Sequence, residues 1–125
     1  MSQVAERFID ELVTNFPGVR PVFDEHLSDN FGEVLPHLFF GDLTRYLVAR
    51  FLTVQSSSGK TPGDTEEEVR SLLARLEQAY VTGGEELQEL IAVSFLENLP
   101  RPGEEGSGVR NWLGPALTHQ LRVIG

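Results

Sequence analysis

The chain has 125 residues, of which 19 are acidic and 10 are basic, so its formal net charge at pH 7 is −9. A length of this order is typical of one domain, residues 1–125, with a hydrophobic core of its own. The absence of cysteine excludes disulfide bonds, thiolate nucleophiles and zinc–thiolate centres.

The first two predicted helices lie on either side of a proline-glycine break. Apolar residues at three- and four-residue spacing predict a helix over residues 2–15, with Ser2 as its N-cap. Residues 16–18 (Phe-Pro-Gly) end this helix, because proline disfavours the helical conformation in the residue before it. A second helix is expected over about 19–29, with Pro21 in its first turn.

A third helix follows a short interruption of the chain. The segment Asn-Phe-Gly at residues 30–32 predicts a break, with Asn30 or Gly32 in the left-handed conformation. The helix is expected to restart between residues 33 and 37 and to run to about Val54. Its apolar stripe is wide, which indicates a largely buried helix.

The second half of the chain is predicted to hold three more helices. Residues 55–63 form a polar loop, and Asp64 or Thr65 caps the fourth helix. The fifth helix is expected over residues 85–100, apolar on nearly every side and therefore central. Three of its residues should be almost fully buried: Ile91, Phe95 and Leu96.

The last helical segment is expected over residues 109–123, after a linker at 101–108, and Gly114-Pro115 should kink or split it. No segment alternates with period two for long enough to predict a strand. The predicted fold is all-α: about six helices packed as antiparallel hairpins in an irregular bundle. The hairpin of the fourth and fifth helices also resembles one unit of a helical-repeat protein.

Polar residues with possible chemistry are concentrated between residues 25 and 42. Histidine and carboxylate side chains can bind zinc, manganese or iron, and can act as acids and bases. The same residues can simply cap and turn helices, or face a binding partner, and the sequence leaves these readings open. The candidate binding residues are Glu25, His26, Asp29, Glu33, His37, Phe40 and Asp42.

We expect these residues to divide between two roles. Asp29 and Glu33 should hold the turn between the second and third helices. Glu25, His37 and Asp42 should face a shared groove beside the turn. No catalytic residue or cofactor is predicted, because no motif for nucleophilic catalysis or phosphate binding stands in a suitable structural context. No resident metal ion is predicted either, because the Glu-x-x-His pattern of di-iron helical bundles is absent and helix capping explains the same residues.

Three blocks of the sequence resemble a small all-helical bacterial family of unknown function. They are EHLSDNFGEVLPHLFFGD at residues 25–42, ELIAVSFLENL at 89–99 and LGPAL at 113–117. The resemblance covers about residues 8–121 and implies an all-α protein of the kind common in actinobacteria, without an established activity. In size and acidity such proteins are similar to the immunity proteins of bacterial toxin systems.

Charge and hydropathy indicate the kind of partner. A net charge of −9 disfavours nucleic acid and anionic lipid and favours a basic protein or a cation. No apolar run approaches the roughly 20 residues of a membrane span, and no secretion signal is recognised, so the expected location is the cytoplasm. The favoured function is a non-enzymatic binding protein, such as one that neutralises a basic toxin. The alternative is a metal-dependent or acid–base enzyme that uses residues 25–42.

Overall fold

The computed structural model describes residues 3–56 and 63–124, and within these ranges the chain is helical and contains no strand. The predicted all-α bundle is therefore confirmed for the described residues. None of the helices found there is both long and apolar enough to cross a membrane. The α-helices are α1 (Gln3–Asn15), α2 (Arg20–Asp29), α3 (Pro36–Ser56), α4 (Gly63–Thr82), α5 (Gly84–Ser94) and α6 (Pro115–Ile124). Short 3₁₀ helices span Pro17–Val19, Leu96–Asn98 and Ser107–Trp112.

Most predicted breaks between helices are confirmed. Proline stands in the first turn of α2, as expected of Pro21. The last segment divides into a 3₁₀ helix and α6, with Gly114 between them. The expected N-cap Ser2 lies outside the described residues, and so does most of the expected loop at 55–63.

The core is organised around α5, which packs against α1, α3 and α4. Ile91, Phe95 and Leu96 are buried, as predicted. Phenylalanine rings from the neighbouring helices complete this centre, since Phe8 stacks on Phe40 with ring centroids 6.1 Å apart. Aromatic side chains contribute large buried areas, so these rings add to the hydrophobic stabilisation that the aliphatic core residues provide.

The prediction that the fifth helix extends to Pro100 is wrong, because α5 ends at Ser94. Leu99 adopts an extended conformation, with ψ of 150°, as a residue before proline prefers. Asn98 then makes a different bond at the end of α5. Its side-chain amide donates to the carbonyl oxygen of Ser94 at 2.7 Å, an acceptor that the Asn98 backbone amide would use in a continuing helix.

A carboxylate from α4 fixes the start of α6. The two oxygens of Glu77 accept hydrogen bonds from the backbone amides of Ala116, at 2.8 Å, and Leu117, at 3.0 Å. These amides belong to the first turn of α6, where helical partners are lacking and negative charge is favourable. A Cβ atom at Gly114 would lie 2.5 Å from Cδ of Glu77, so the close approach of this carboxylate requires glycine there.

Candidate functional site

The turn between α2 and α3 is held by His26 and Asn30. His26 is 1% exposed, and its Nε2 accepts a hydrogen bond from the backbone amide of Leu35 at 3.0 Å. The side-chain amide of Asn30 donates to the carbonyl oxygen of His26 at 2.8 Å. Gly32 closes the end of α2 by donating its backbone amide to the carbonyl oxygen of Leu27 at 2.7 Å. Hydrogen bonds thus fix the turn both at the end of α2 and directly before the start of α3.

These hydrogen bonds assign the tautomer of His26. Because Nε2 accepts from Leu35, the proton of the neutral ring lies on Nδ1. Nδ1 is 3.7 Å from Oδ2 of Asp42 on α3, beyond hydrogen-bond distance, so this carboxylate acts on the ring only through its charge. The side-chain nitrogen of Asn30 lies 3.3 Å from Nδ1, but both groups are donors in this tautomer and form no hydrogen bond with each other. His26 has no lone pair left to act as a base on a substrate.

The structure differs from the expected division of roles in this turn. Asp29 and Glu33 were expected to hold the turn, but both are exposed. Neither carboxylate has a hydrogen bond or an ion pair within residues 3–56 and 63–124. The reason is that the backbone amide of Leu35, a donor that a carboxylate could have used, already donates to the imidazole of His26.

The left-handed part of the turn also differs from the prediction. Gly32 has φ of 79° and so confirms one of the two expected positions. Asn30 has φ of −123°, outside the left-handed region. The second left-handed residue is instead Phe31, with φ of 57°, a residue that the site prediction left out. A phenylalanine between a helix end and a glycine is the only sequence signal that could have drawn attention to it.

A groove of about 320 Å³ lies between α2 and α3. It contains three of the predicted site carboxylates, those of Glu25, Asp29 and Asp42. The groove is completed by Val22, Arg45 and Tyr46. We call it the acidic groove. Asp42 forms an ion pair with the exposed guanidinium of Arg45, whereas Glu25 and Asp29 have no ion pair among the described residues.

Tyr46 forms the wall of the acidic groove that connects to the interior. Its hydroxyl donates to Oε1 of Glu68 on α4 at 2.8 Å. Burial raises the pKa of Tyr46 to about 12, and the hydrogen bond to Glu68 and the negative charge of Glu68 contribute smaller parts of this increase. The phenol is therefore neutral at physiological pH and serves as a donor within the protein. Gly18 packs against this pair, since a Cβ atom there would collide with the Tyr46 hydroxyl.

His37 does not line the acidic groove, so the expectation that it shares the groove with Glu25 and Asp42 is wrong. His37 and Asp42 are five residues apart on α3, and at 3.6 residues per turn they point in different directions. The Nδ1 atom of His37 instead hydrogen-bonds Oγ of Ser94, the buried last residue of α5. The carbonyl oxygen of Ser94 accepts from the hydroxyl of Thr44 at 3.3 Å. This polar contact joins α3 to α5.

Phe40 is a core residue. Its exposure is 0%, and its ring lies between Phe8, at 6.1 Å, and Phe39, at 5.8 Å. The expectation that Phe40 belongs to a surface site is therefore wrong. Its position on the inward face of α3 explains the burial, because Leu43 and Leu47 continue the same buried stripe at three- and four-residue spacing.

The predicted histidines and carboxylates do not converge on a common point. In the part of the chain that the structure describes, no group of three or more histidine, aspartate or glutamate side chains is arranged to hold a metal ion. The site that residues 25–42 form is an acidic groove beside a rigid turn, in which His26 has a structural role.

The fold and this site together define a small all-α protein with an acidic groove between its second and third helices. The chain belongs to the family described as "Domain of unknown function (DUF7674)", whose model matches residues 9–123. The resemblance to an all-helical family of unknown function is confirmed at that level. No curated protein and no solved structure matches the chain.

Proposed function

We propose that this protein is a non-enzymatic binding protein of the bacterial cytoplasm that recognises a basic partner protein through the acidic groove. The observation that carries the proposal is the pair Glu25 and Asp29, which line the groove and have no cationic partner among the described residues. Carboxylates that stabilise the fold, such as that of Glu77, accept hydrogen bonds from backbone amides. The carboxylate oxygens of Glu25 and Asp29 can instead accept hydrogen bonds from a partner.

The local electrostatics favour a cation at this place. Glu25 and Asp29 are four residues apart on α2, where like charges repel each other across one helical turn. Asp29 is the last residue of the helix, close to the negative end of the helix dipole. A guanidinium or ammonium group in the groove would relieve both effects and form charge-assisted hydrogen bonds.

The overall charge supports the same kind of partner. A net charge of −9 accelerates encounter with a basic surface and repels nucleic acid. A nuclease toxin has basic side chains that bind phosphate in its active site, and the exposed carboxylates of the acidic groove can bind those side chains in place of phosphate. We therefore propose immunity-type neutralisation of a basic bacterial toxin as the specific form of this activity.

An acid–base or metal-dependent enzyme that uses residues 25–42 is the alternative, and it has less support. The Nε2 atom of His26 already accepts a hydrogen bond from the Leu35 amide, so it is not available as a base. His37 points to Ser94 and away from the groove carboxylates.

The experiment compares binding of an arginine nonapeptide to two matched double variants by calorimetry. Glu25→Gln/Asp29→Asn removes the groove charges, whereas Glu6→Gln/Asp10→Asn removes the same two residue types at the same spacing from α1, where both are exposed. We expect the groove variant to lose about tenfold in affinity, because a lost charge-assisted contact is worth about 1.5 kcal/mol or more. The α1 variant should bind like the wild type.

The toxin hypothesis is tested by capture from cells of the source bacterium with wild-type protein and with the groove variant as bait. Proteins of high isoelectric point should be retained by the wild type alone, and co-expression of the wild type should relieve the growth inhibition that such a protein causes. Equal arginine-peptide affinities of the two double variants would contradict the groove as the binding site.

A further inference from the structure

The side chain of Phe31 is completely exposed, at 101% of its reference area. It therefore makes no contribution to the hydrophobic core. An isolated exposed apolar residue is common on protein surfaces, so exposure alone indicates nothing. Phe31 differs because its backbone is also in an unfavourable conformation.

Phe31 has φ of 57°, a left-handed conformation in which bulky residues with a Cβ are uncommon. In the helix-ending pattern seen here, the amide of Gly32 bonds the carbonyl oxygen of Leu27, and the residue before Gly32 is usually glycine. The fold would therefore be served better by glycine at position 31. A phenylalanine at this position destabilises the fold, and its exposed side chain makes no packing contact that would compensate.

Hydrogen bonds fix the backbone of the turn on both sides of Phe31 in spite of the strain. Before Phe31, the Asn30 side chain donates to the carbonyl oxygen of His26 at 2.8 Å. After it, the amide of Glu33 donates to the carbonyl oxygen of Asn30 at 3.0 Å. The buried His26 accepts from Leu35. Phenylalanine has only two side-chain torsion angles, so ordering it on binding costs little conformational entropy once its backbone is fixed. Aromatic residues of this kind often dominate interface energetics.

Two carboxylates flank this aromatic side chain. Asp29 and Glu33 stand two residues before and two residues after it. Both are exposed, and neither has an ion pair among the described residues. Asp29 also lines the acidic groove. The surface therefore combines one apolar knob with negative charge on both sides of it.

We propose that Phe31 is the apolar anchor of a protein-docking surface, and that the partner presents an amphipathic helix with an apolar face bordered by basic side chains. The anchor would insert between the apolar residues of that helix, while its basic residues meet Asp29, Glu33 and the acidic groove. This inference rests on the proposed function, because it assigns the basic partner a helical, amphipathic binding element.

The test uses two synthetic probes of equal positive charge: an amphipathic helical peptide of leucine and lysine, and a peptide with serine in place of leucine. Wild-type protein should bind the leucine/lysine peptide at least about tenfold more tightly than the leucine-free peptide. Phe31→Ala should abolish this difference and leave the affinity for the leucine-free peptide unchanged. Val81→Ala is the control, since Val81 is an apolar side chain of α4 that is also exposed, at 58%.

A second variant separates binding from folding. Phe31→Gly suits the left-handed backbone, so its melting temperature should equal or exceed that of the wild type, while its preference for the leucine/lysine peptide is lost. A Phe31→Ala protein that keeps the preference would overturn the anchor, and so would a Phe31→Gly protein that melts well below the wild type. Failure of the proposed function is recognised separately, by unchanged arginine-peptide affinity in Glu25→Gln/Asp29→Asn.

Discussion

Two junctions between helices use polar side chains in opposite ways. At the start of α6, both oxygens of Glu77 accept backbone amides, and Gly114 makes room for them. At the turn between α2 and α3, a buried imidazole, that of His26, accepts the backbone amide. Asp29 and Glu33 stand beside that turn without a hydrogen bond among the described residues.

The difference shows which carboxylates of this acidic protein stabilise its fold and which do not. A carboxylate that caps a helix gains charge-assisted hydrogen bonds and reduces the number of unsatisfied amides. A neutral imidazole can do the same at a buried position, where a charged group would have a large desolvation cost. The α2–α3 junction is therefore complete without its carboxylates, and these contribute to the outer surface.

Removal of His26 should have the largest effect of the variants that bear on this comparison. His26→Ala leaves the Leu35 amide without its acceptor and opens a cavity beside Phe39, whose ring centroid lies 5.7 Å from that of the imidazole. We expect the free energy of unfolding to fall by about 2–4 kcal/mol. Urea denaturation measures this loss. The control His119→Ala alters an exposed histidine of α6 and should stay within about 0.5 kcal/mol of the wild type.

Substitution of Glu77 should have a smaller effect. The side chain of Glu77→Gln retains one accepting oxygen but places an NH₂ group, itself a donor, against one of the two amides of α6. We expect a loss of about 1–2 kcal/mol. Glu67→Gln is the matched control, because Glu67 is exposed on the same helix. If both variants were equally stable, Glu77 would not be the cap that the distances indicate.

The sequence predicted the fold better than the site because the two depend on different information. Local signals such as Pro21 and Gly114 mark where helices begin and end, and the apolar spacing of α5 predicted its burial. The length of α5 was overestimated, because Leu99 must be extended before Pro100 and Asn98 competes for the carbonyl of Ser94. Pro100 accounts only for Leu99, whereas the end of α5 at Ser94 coincides with the side-chain hydrogen bond of Asn98.

The site required information that spacing does not carry. His26, Asp29 and Glu33 are all suitable caps for the turn by residue type, and burial of His26 against Phe39 decides among them. That burial depends on the packing of α2 on α3, which a sequence does not display. The sequence could have predicted that His37 and Asp42 point in different directions, since residues five apart on a helix do not share a face.

The smallest effect is expected where the two junctions differ most, at Asp29 and Glu33. Asp29 is the last residue of α2, so its charge faces the negative end of the helix dipole, and Asp29→Asn should raise the free energy of unfolding by about 0.3 kcal/mol. Glu33 precedes α3, whose positive end favours its charge, and Glu33→Gln should lower the free energy by a similar amount, about 0.3 kcal/mol. The double variant should therefore unfold within about 0.5 kcal/mol of the wild type, a difference that urea denaturation can bound. Added salt should reduce both single effects, because exposed charges are screened. A loss above about 1 kcal/mol in the double variant would mean that these carboxylates do hold the turn, and would remove them from the docking surface.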